Sequence, residues 1–167
     1  MAGKILWTTI EISIVSSLST LFLGYATAYH LTKQSPKVRT FLMIFVLLPF
    51  WTSILVKSYA FSITLGSDGI LNTILRFVFG EQAGIQMLYN RIGVMVGMTH
   101  YLLPFMIFPI LSSLLSQPKD LDKAAIIMGA SKFLVFWKIT VPLSMPGVIS
   151  GLLITMILSF AMFITPA

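Results

Sequence analysis

Long apolar runs alternate with short polar segments along the chain, and this alternation predicts membrane-spanning helices. A helix rises about 1.5 Å per residue, so about 20 apolar residues cross the roughly 30 Å hydrocarbon core of a bilayer. Most of the runs reach this length, which is more than a soluble core helix needs. The predicted spans cover residues 5–31, 41–55, 92–115 and 139–164.

The connections between these spans differ in length and character. Residues 32–40 form a tight basic turn around Ser35-Pro36, which is a helix-stopping pair. The connection at 58–91 is much longer and contains a glycine-rich turn at 66–69, followed by residues 70–79 with apolar side chains at helical spacing. This second pattern predicts an amphipathic helix that either lies flat on the bilayer surface or packs on the bundle as a loop helix.

Composition supports a membrane protein and narrows the available chemistry. Hydrophobic residues make up 57% of the 167 residues and charged residues only 10%, whereas a soluble domain has about 25% charged residues. The absence of cysteine excludes disulfides, thiolate metal sites and cysteine nucleophiles. The net charge of +6 comes from lysines and arginines between apolar runs, which indicates topology signals and disfavours a nucleic-acid module.

The distribution of basic residues predicts the orientation in the membrane. Segments 32–40 and 117–138 share one side and carry seven lysines and arginines, while the other side carries four in a longer total length. The positive-inside rule therefore places the first side in the cytoplasm and both termini outside. Because the chain begins just before a span and ends at residues 165–167 just after one, we expect a fragment that lacks one or more helices at each end.

Residues 117–142, here called the docking segment, connect the third and fourth predicted spans on the cytoplasmic side. They are predicted to form two short helices with a turn at Gly129, because a residue without a side chain permits a left-handed cap. Ala124 and Ala125 expose little volume, and Lys123 and Lys132 flank the turn. A small, basic helix end held between two spans can seat in a cleft of another protein, so we predict a docking element.

The docking segment resembles the signature of permease subunits of binding-protein-dependent ABC importers, which reads E-A-A, three residues, G, nine residues, I-x-L-P. The spacing matches throughout, and the residues after the glycine continue the family pattern. The predicted ATPase-coupling residues are Asp122, Lys123, Ala124, Ala125, Gly129, Ala130, Ser131, Ile139 and Pro142.

Two positions depart from this signature. Lys123 stands at the glutamate position, with Asp122 one residue earlier, and Val141 replaces the leucine before Pro142. The valine is conservative. The reversed charge at Lys123 either weakens the contact with an ATPase or pairs with a compensating acidic residue there.

Within that family, residues 48–53, 55–59 and 101–106 look like the spermidine/putrescine-type permeases. The resemblance implies an all-α polytopic membrane helical bundle, with residues 1–167 in a single transmembrane permease domain. It further implies a full protein of about six spans in a bacterial inner membrane, of which this chain supplies the second to the fifth. The implied cargo is a polyamine delivered by an extracytoplasmic binding protein.

The resemblance also implies partners and a division of labour. A cytoplasmic ATP-binding subunit, a second permease subunit, the binding protein and membrane lipid are the expected partners. ATP and Mg²⁺ belong to the ATPase partner, so no cofactor is expected in this chain, and the chain itself is not expected to be an enzyme. In agreement, the sequence contains no G-x-x-x-x-G-K-[S/T] loop to cradle nucleotide phosphates.

Five residues are candidates for the substrate pathway. Glu11 is an ionisable residue inside a span and therefore a candidate partner for a cationic substrate, although an interfacial carboxylate is the alternative. His100 could line the pore or be a hydrogen-bonded buried histidine. Trp51, Tyr59 and Tyr101 could bind an ammonium group by cation–π contact or belong to the interfacial aromatic belt. No metal site is predicted.

Three alternatives remain open. A permease of the same fold could import another solute, such as iron, sulfate or an opine. A secondary carrier driven by protons or sodium would need ionisable or unwound coupling sites near the midplane, and the spans lack a convincing set. A membrane enzyme would need facing catalytic acids or metal ligands, and the chain has only two histidines and five acidic residues.

Overall fold

The computed structural model describes residues 2–80, 85 and 90–164. In this part of the chain the predicted all-α fold is confirmed. Residues 165–167, on which the expectation about the end of the chain rests, lie outside the described residues. The helices are α1 (Ala2–Thr32), α2 (Pro36–Trp51), α3 (Ile54–Leu65), α4 (Ile70–Phe79), α5 (Arg91–Leu115), α6 (Lys119–Ile127), α7 (Lys132–Val135) and α8 (Val141–Ile164), with a π-helical turn (Phe136–Thr140) between the last two.

Helices α1, α5 and α8 pack together and form the core of the molecule. Their buried apolar side chains make one cluster in the half of the bundle that adjoins the docking segment. The other half is lined by fully buried serines and threonines of α1 and α8, small residues that let helix backbones approach closely in a membrane. The apolar cluster consists of Ala28, Leu31, Met106, Ile107, Ile110, Leu111, Leu114 and Val148.

Glycines set the closest contacts in this bundle. A Cβ atom built on Gly147 in α8 would lie 2.5 Å from the backbone oxygen of Pro109 in α5. Gly24 in α1 and Gly151 in α8 both face Met106, with 2.8 Å between a built Cβ and the nearest side-chain atom. The backbones of α5 and α8 therefore touch at Gly147, and at the other two positions only a methionine side chain intervenes.

Among the described residues, three helical stretches are long and apolar enough to cross a membrane, namely Trp7–Thr32, Arg91–Leu115 and Lys132–Met162. These correspond to the first, third and fourth predicted spans. The predicted second span at 41–55 differs from the structure. Helix α2 ends at Trp51. The helical arm after it, Leu55–Phe79, is bent by 102° relative to α2. The structure therefore has a fourth span only if α2 and this arm together are counted as one broken span.

Other predicted boundaries also need correction. The basic turn at 32–40 is shorter, because α1 continues to Thr32 and Pro36 already occupies the start of α2, where a missing N–H costs nothing. The last span begins at Lys132 rather than at 139, because α7, the π-helical turn and α8 are continuous. The amphipathic helix predicted over 70–79 matches α4 at both ends.

Candidate functional site

Helix α6 lies near the start of the docking segment, and the residue types in its first turn favour a helix start there. Asp120 and Asp122 lie in that first turn, where carboxylates interact favourably with the positive end of the helix dipole. The side chain of Gln117, just before the helix, donates a hydrogen bond of 3.1 Å to the backbone oxygen of Thr140 in the π-helical turn. The two ends of the docking segment are thus tied together at its base.

The turn after α6 explains the spacing of the family signature. Gly129 has a φ of +90°, the left-handed region that favours glycine. The N–H of Gly129 donates to the oxygen of Ile126, and the N–H of Ala130 donates to the oxygen of Ala125, at 2.9 and 3.0 Å. These are the two hydrogen bonds of a Schellman cap. Ala125 and Gly129 lie four residues apart because the cap requires that separation.

The next helix starts immediately after this cap. Ser131 is the N-cap of α7, and its hydroxyl oxygen accepts a hydrogen bond of 3.3 Å from the N–H of Leu134. Such an N-cap satisfies one of the otherwise unpaired N–H groups at a helix start. Gly129, Ala130 and Ser131 therefore end one helix and begin another within three residues, which fixes the angle of the docking segment.

The tip of the docking segment carries apolar side chains that no other part of the described chain covers. Ile127 is 85% exposed and Met128 is 81% exposed, and Ile126, Leu121 and Phe133 are also exposed. Ala124 is exposed and Ala125 is buried, so only the second alanine of the signature packs inside. Exposed apolar patches of this kind are typical of interaction surfaces for proteins or membranes.

Lys123, the departure from the family signature, faces outward. Its ammonium group lies 3.9 Å from the carboxylate of Asp120, one turn earlier, and both side chains are largely exposed. An exposed pair of this kind contributes little to stability. The charge of Lys123 is therefore available for a partner.

The signature proline coincides with the π-helical turn. Pro142 has no N–H and its ring crowds the carbonyl four residues earlier, which an α-helix does not accommodate without distortion. The N–H of Val141 instead donates to the oxygen of Phe136, five residues back, so the helix widens before the proline and continues beyond it. Ile139 is half-buried in this turn, and Pro142 is exposed in the first turn of α8.

The π-helical turn anchors the docking segment on α1. The ring of Phe136 lies edge-on to Tyr29 and Tyr25, with centroids 4.9 and 6.1 Å away. The hydroxyl of Ser144, in α8, donates to the oxygen of Val141, so the hydroxyl of Tyr25 is the donor in its 2.8 Å hydrogen bond with Ser144. The base of the docking segment is joined to α1 by both apolar and polar contacts.

Glu11, the charged candidate in the first span, has a partner within the chain. Its carboxylate lies 3.2 Å from the guanidinium of Arg91 at the start of α5, and Arg91 also donates to the hydroxyl of Thr8 at 3.5 Å. Both side chains of the ion pair are partly exposed. The structure thus joins the ends of α1 and α5 through Glu11.

The other pathway candidates separate into two groups. His100 and Tyr101 of α5 line a small cavity of about 40 Å³, where Tyr101 stacks on Phe50 at 5.7 Å. Lys57 lies 5.8 Å from the centroid of the same Phe50 ring. Trp51 and Tyr59 are exposed in α2 and α3 and do not line this cavity. The aromatic cluster around Phe50 therefore already contacts a cation of this chain, the Lys57 ammonium group.

A larger groove of about 830 Å³ runs between α1 and the π-helical turn with the start of α8. Its walls are mainly aliphatic and aromatic, and Lys33 and His30 are the basic residues in its lining. None of the described residues in this lining carries a carboxylate. Within the described residues, no group of three histidine or acidic side chains is placed to hold a metal ion.

The sequence reasoning missed the anchor formed by Phe136, Tyr25, Tyr29 and Ser144. One signal was available, since Tyr25 and Tyr29 are four residues apart and therefore share a face of α1. The π-helical turn had a signal as well, because Pro142 lies inside a continuous apolar run. No pattern in the sequence indicated the pairing of Glu11 with Arg91, which are 80 residues apart.

Comparison with known proteins agrees with the geometry of the docking segment. Residues 20–167 match the family described as binding-protein-dependent transport system inner membrane component. The matched region contains the whole docking segment and most of the core bundle. The matched region begins inside α1, so it contains Arg91 but not Glu11 of the ion pair between them.

Several curated relatives are similar to nearly the whole chain. The spermidine/putrescine transport system permease protein PotB of Haemophilus influenzae is 36% identical over 161 residues, covering 96% of this chain and 56% of the relative. PotB of Escherichia coli is 35% identical over 160 residues, covering 96% and 58%. The molybdenum transport system permease protein ModB of Mycobacterium bovis is 25% identical over 143 residues, covering 86% and 52%.

The chain thus spans about half the length of the curated relatives that it matches. The family match covers most of the chain, and it includes the Schellman cap and the proline after the π-helical turn. The predicted resemblance is confirmed. The chain belongs to the family of inner membrane components of binding-protein-dependent transport systems.

Proposed function

We propose that the chain acts as a transmembrane permease subunit of an ATP-driven importer and that its docking segment binds a cytoplasmic ATPase. The observation that carries the proposal is the rigid, capped turn at Gly129, which presents Ile127 and Met128 to the surroundings. ATP and Mg²⁺ would be bound by the partner, because this sequence has no phosphate-binding loop. A second permease subunit and an extracytoplasmic binding protein complete the proposed assembly.

The ATPase contact is apolar at its centre and charged at its edge. Burial of the Ile127 and Met128 side chains in a cleft would contribute about 1.5–3 kcal/mol each, before the costs of association. Lys123 at the edge would steer the approach and would need an acidic residue on the ATPase. In this account the lysine changes partner preference and leaves the apolar contact intact.

Motion of the docking segment would reach the spans through its anchor. The Phe136 ring against Tyr29, the Tyr25–Ser144 hydrogen bond and the backbone contact at Gly147 link the segment to α1 and α5. A displacement of α6 is then transmitted as movement of packed helices instead of being absorbed by a loose loop. The driving free energy is the difference in affinity of the docking segment for the open and closed states of the ATPase.

For the cargo, we propose a polyamine, because the relatives with the highest identities given above are named as spermidine/putrescine permeases. Glu11, Trp51, Tyr59, His100 and Tyr101 stay predictions for the substrate pathway. Of these, His100 and Tyr101 share a cavity, but Lys57 beside it would repel a cationic substrate unless the lysine moves. The more distant similarity to a molybdenum permease favours an oxyanion as the second candidate cargo.

Cysteine cross-linking tests the docking proposal directly, since the chain has no cysteine of its own. A cysteine at Ile127 is expected to cross-link to the ATPase with a short bifunctional reagent. The matched control is a cysteine at Asp68, whose side chain is also highly exposed but lies in the connection predicted to face outward. An adduct with Asp68→Cys, or none with Ile127→Cys, would overturn the proposal.

Uptake tests the cargo separately. The permease, its ATPase and its binding protein would be reconstituted in vesicles and supplied with labelled putrescine, spermidine or molybdate. ATP-dependent accumulation of a polyamine, without accumulation of molybdate, is expected. Accumulation of molybdate alone would contradict the polyamine assignment while leaving the docking proposal in place.

A further inference from the structure

Helix α4 buries one polar side chain, Asn72, although Thr73 and Arg76 are exposed. Asn72 is only 1% exposed. Its amide nitrogen donates to the backbone oxygens of Gly66 and Ile85 at 2.8 and 2.9 Å, and its amide oxygen accepts from the N–H of Ile85 at 2.9 Å. Asn72 thereby holds α4 against the chain on both sides of it.

A second polar contact supports the same orientation. Arg76, one turn after Asn72, forms a 3.4 Å ion pair with Asp68 in the turn before α4. The turn itself is closed by a 2.9 Å hydrogen bond from the N–H of Gly69 to the oxygen of Gly66. Asn72 and Arg76 therefore both contact the segment that precedes the helix, although Arg76 itself is exposed.

The described part of the chain leaves the apolar side of α4 uncovered. Ile70, Ile74, Phe77 and Val78 recur at helical spacing and are all more than half exposed. In a soluble domain an amphipathic helix buries its apolar face and exposes its polar face. Helix α4 instead leaves its apolar face exposed, as a helix does when that face contacts lipid.

The direction of the helical arm that contains α4 also agrees with lipid surroundings. The stretch Leu55–Phe79 is bent by 102° relative to α2. If α2 runs along the membrane normal, the arm runs nearly parallel to the membrane surface. Leu55, Tyr59 and Ile63 of α3 are exposed four residues apart, so an exposed stripe also runs along the first part of the arm.

We propose that α4 is an interfacial membrane anchor whose apolar face inserts among the head groups and upper acyl chains of the outer leaflet. The assignment to the outer leaflet rests on the orientation used in the proposed function. The insertion itself rests on the exposed apolar face and the 102° bend. Helices of this type bind a membrane through buried apolar area, with their axes in the plane of the interface.

Site-specific fluorescence in proteoliposomes tests this proposal, and the absence of native cysteine permits single labels. An environment-sensitive NBD label would be attached to Ile74→Cys on the apolar face. The control label would be on Asp68→Cys, six residues earlier in the same connection and highly exposed. Lipids with a nitroxide at head-group or mid-chain depth, and aqueous iodide, would serve as quenchers.

The label at Ile74 is expected to be quenched most by head-group-depth nitroxide and several-fold less by iodide than the label at Asp68. Equal iodide quenching at both positions would place α4 in water and overturn the proposal. Protection of Ile74 from both iodide and nitroxide lipid would mean that protein covers this face, which would also overturn it. Far-ultraviolet circular dichroism of each labelled protein would confirm that the helices are intact.

The same labels test the proposed orientation of the chain separately from the membrane insertion of α4. Dithionite added outside right-side-out vesicles reduces only labels that it can reach from that side, and it is expected to bleach the Asp68 label. Protection of that label would contradict the orientation in the proposed function. The depth of the Ile74 label would still decide whether α4 is an interfacial anchor.

Discussion

The close contact at Gly147 gives a quantitative prediction for the core bundle. In a Gly147→Ala variant the new Cβ would lie 2.5 Å from the backbone oxygen of Pro109, 2.6 Å from the Cβ of Ser113 and 3.1 Å from the Cα of Ile110. None of these three atoms can move away by a side-chain rotation. Helices α5 and α8 must therefore separate by roughly 1 Å to reach ordinary van der Waals distances.

The expected cost follows from that separation. A gap of roughly 1 Å forfeits up to half of the dispersion attraction of each atom pair that crosses the interface. Overpacking of this kind costs about 1–3 kcal/mol, and contacts with backbone place Gly147→Ala at the upper end. Replacing a helical glycine with alanine returns about 1 kcal/mol of helix propensity. The net loss of unfolding free energy should be about 2 kcal/mol.

Gly151→Ala is the matched control, since the same substitution one helical turn further meets a flexible neighbour. Its Cβ would lie 2.8 Å from the sulfur of Met106, with the next contacts at 3.4 and 3.5 Å. A thioether side chain can rotate at a cost of about 0.5–1.5 kcal/mol, which the helix propensity gain of about 1 kcal/mol offsets. Its unfolding free energy should change by less than about 0.5 kcal/mol.

Reversible unfolding in mixed detergent and SDS micelles, followed by far-ultraviolet circular dichroism, would measure both variants. The reasoning predicts that Gly147→Ala unfolds at a clearly lower SDS fraction than the native chain and Gly151→Ala does not. Equal stability of Gly147→Ala and the native chain would refute the backbone contact. Equal losses in the two variants would refute the distinction between backbone and side-chain neighbours.

Four further substitutions test the anchor, the ion pair and the α4 clamp. Tyr25→Phe should lower the unfolding free energy by about 0.5–1.5 kcal/mol, and Ser144→Ala by at least as much, because it also removes the hydrogen bond from Ser144 to Val141. The double variant should lose less than the sum, because both substitutions remove the Tyr25–Ser144 hydrogen bond. Glu11→Gln should cost less than about 1 kcal/mol in the same unfolding assay, since the pair with Arg91 is partly exposed. Asn72→Ala leaves its former backbone partners unsatisfied, so amide hydrogen exchange in α4 should accelerate by an amount corresponding to about 1–3 kcal/mol; unchanged exchange would contradict the clamp.

The sequence predicted those elements whose causes are local. Helix α4 is recognisable because its apolar positions repeat at helical spacing directly after a glycine-rich turn. The turn at Gly129 is recognisable because the left-handed cap favours glycine at that position. In both cases the residues that determine the structure lie within one or two turns of each other.

The second span was mispredicted because hydrophobicity alone does not indicate a helix break. The sequence stays largely apolar on both sides of the break, yet Thr52 and Ser53 adopt extended backbone conformations. The hydroxyl of Thr52 donates to the oxygen of Pro49, so a local side-chain contact competes with continuation of the helix. A hydropathy pattern does not contain this competition.

The start of the last span was mispredicted for a different reason. The sequence pattern suggested a second short helix after the turn at Gly129 and a new span at 139, where the charged segment that ends at Lys138 gives way to an apolar run. In the structure the π-helical turn accommodates the proline, so one continuous helical stretch begins at Lys132. The contacts that stabilise this turn come from Phe136 against α1 and are distant in sequence.

The measurement that tests the central proposal most directly is retention of the ATPase when the chain is purified in detergent. Three forms would be compared: the native chain, Gly129→Asp, and the control Gly80→Asp. Gly129 and Gly80 are the two positive-φ glycines among the described residues, and a Cβ would meet nothing within 4 Å at either. Both substitutions therefore place a side chain at a positive φ without a steric clash, on opposite predicted sides of the membrane. The account predicts that the native chain and Gly80→Asp retain the ATPase and that Gly129→Asp loses it. Retention by Gly129→Asp, or loss from the native chain, would contradict it.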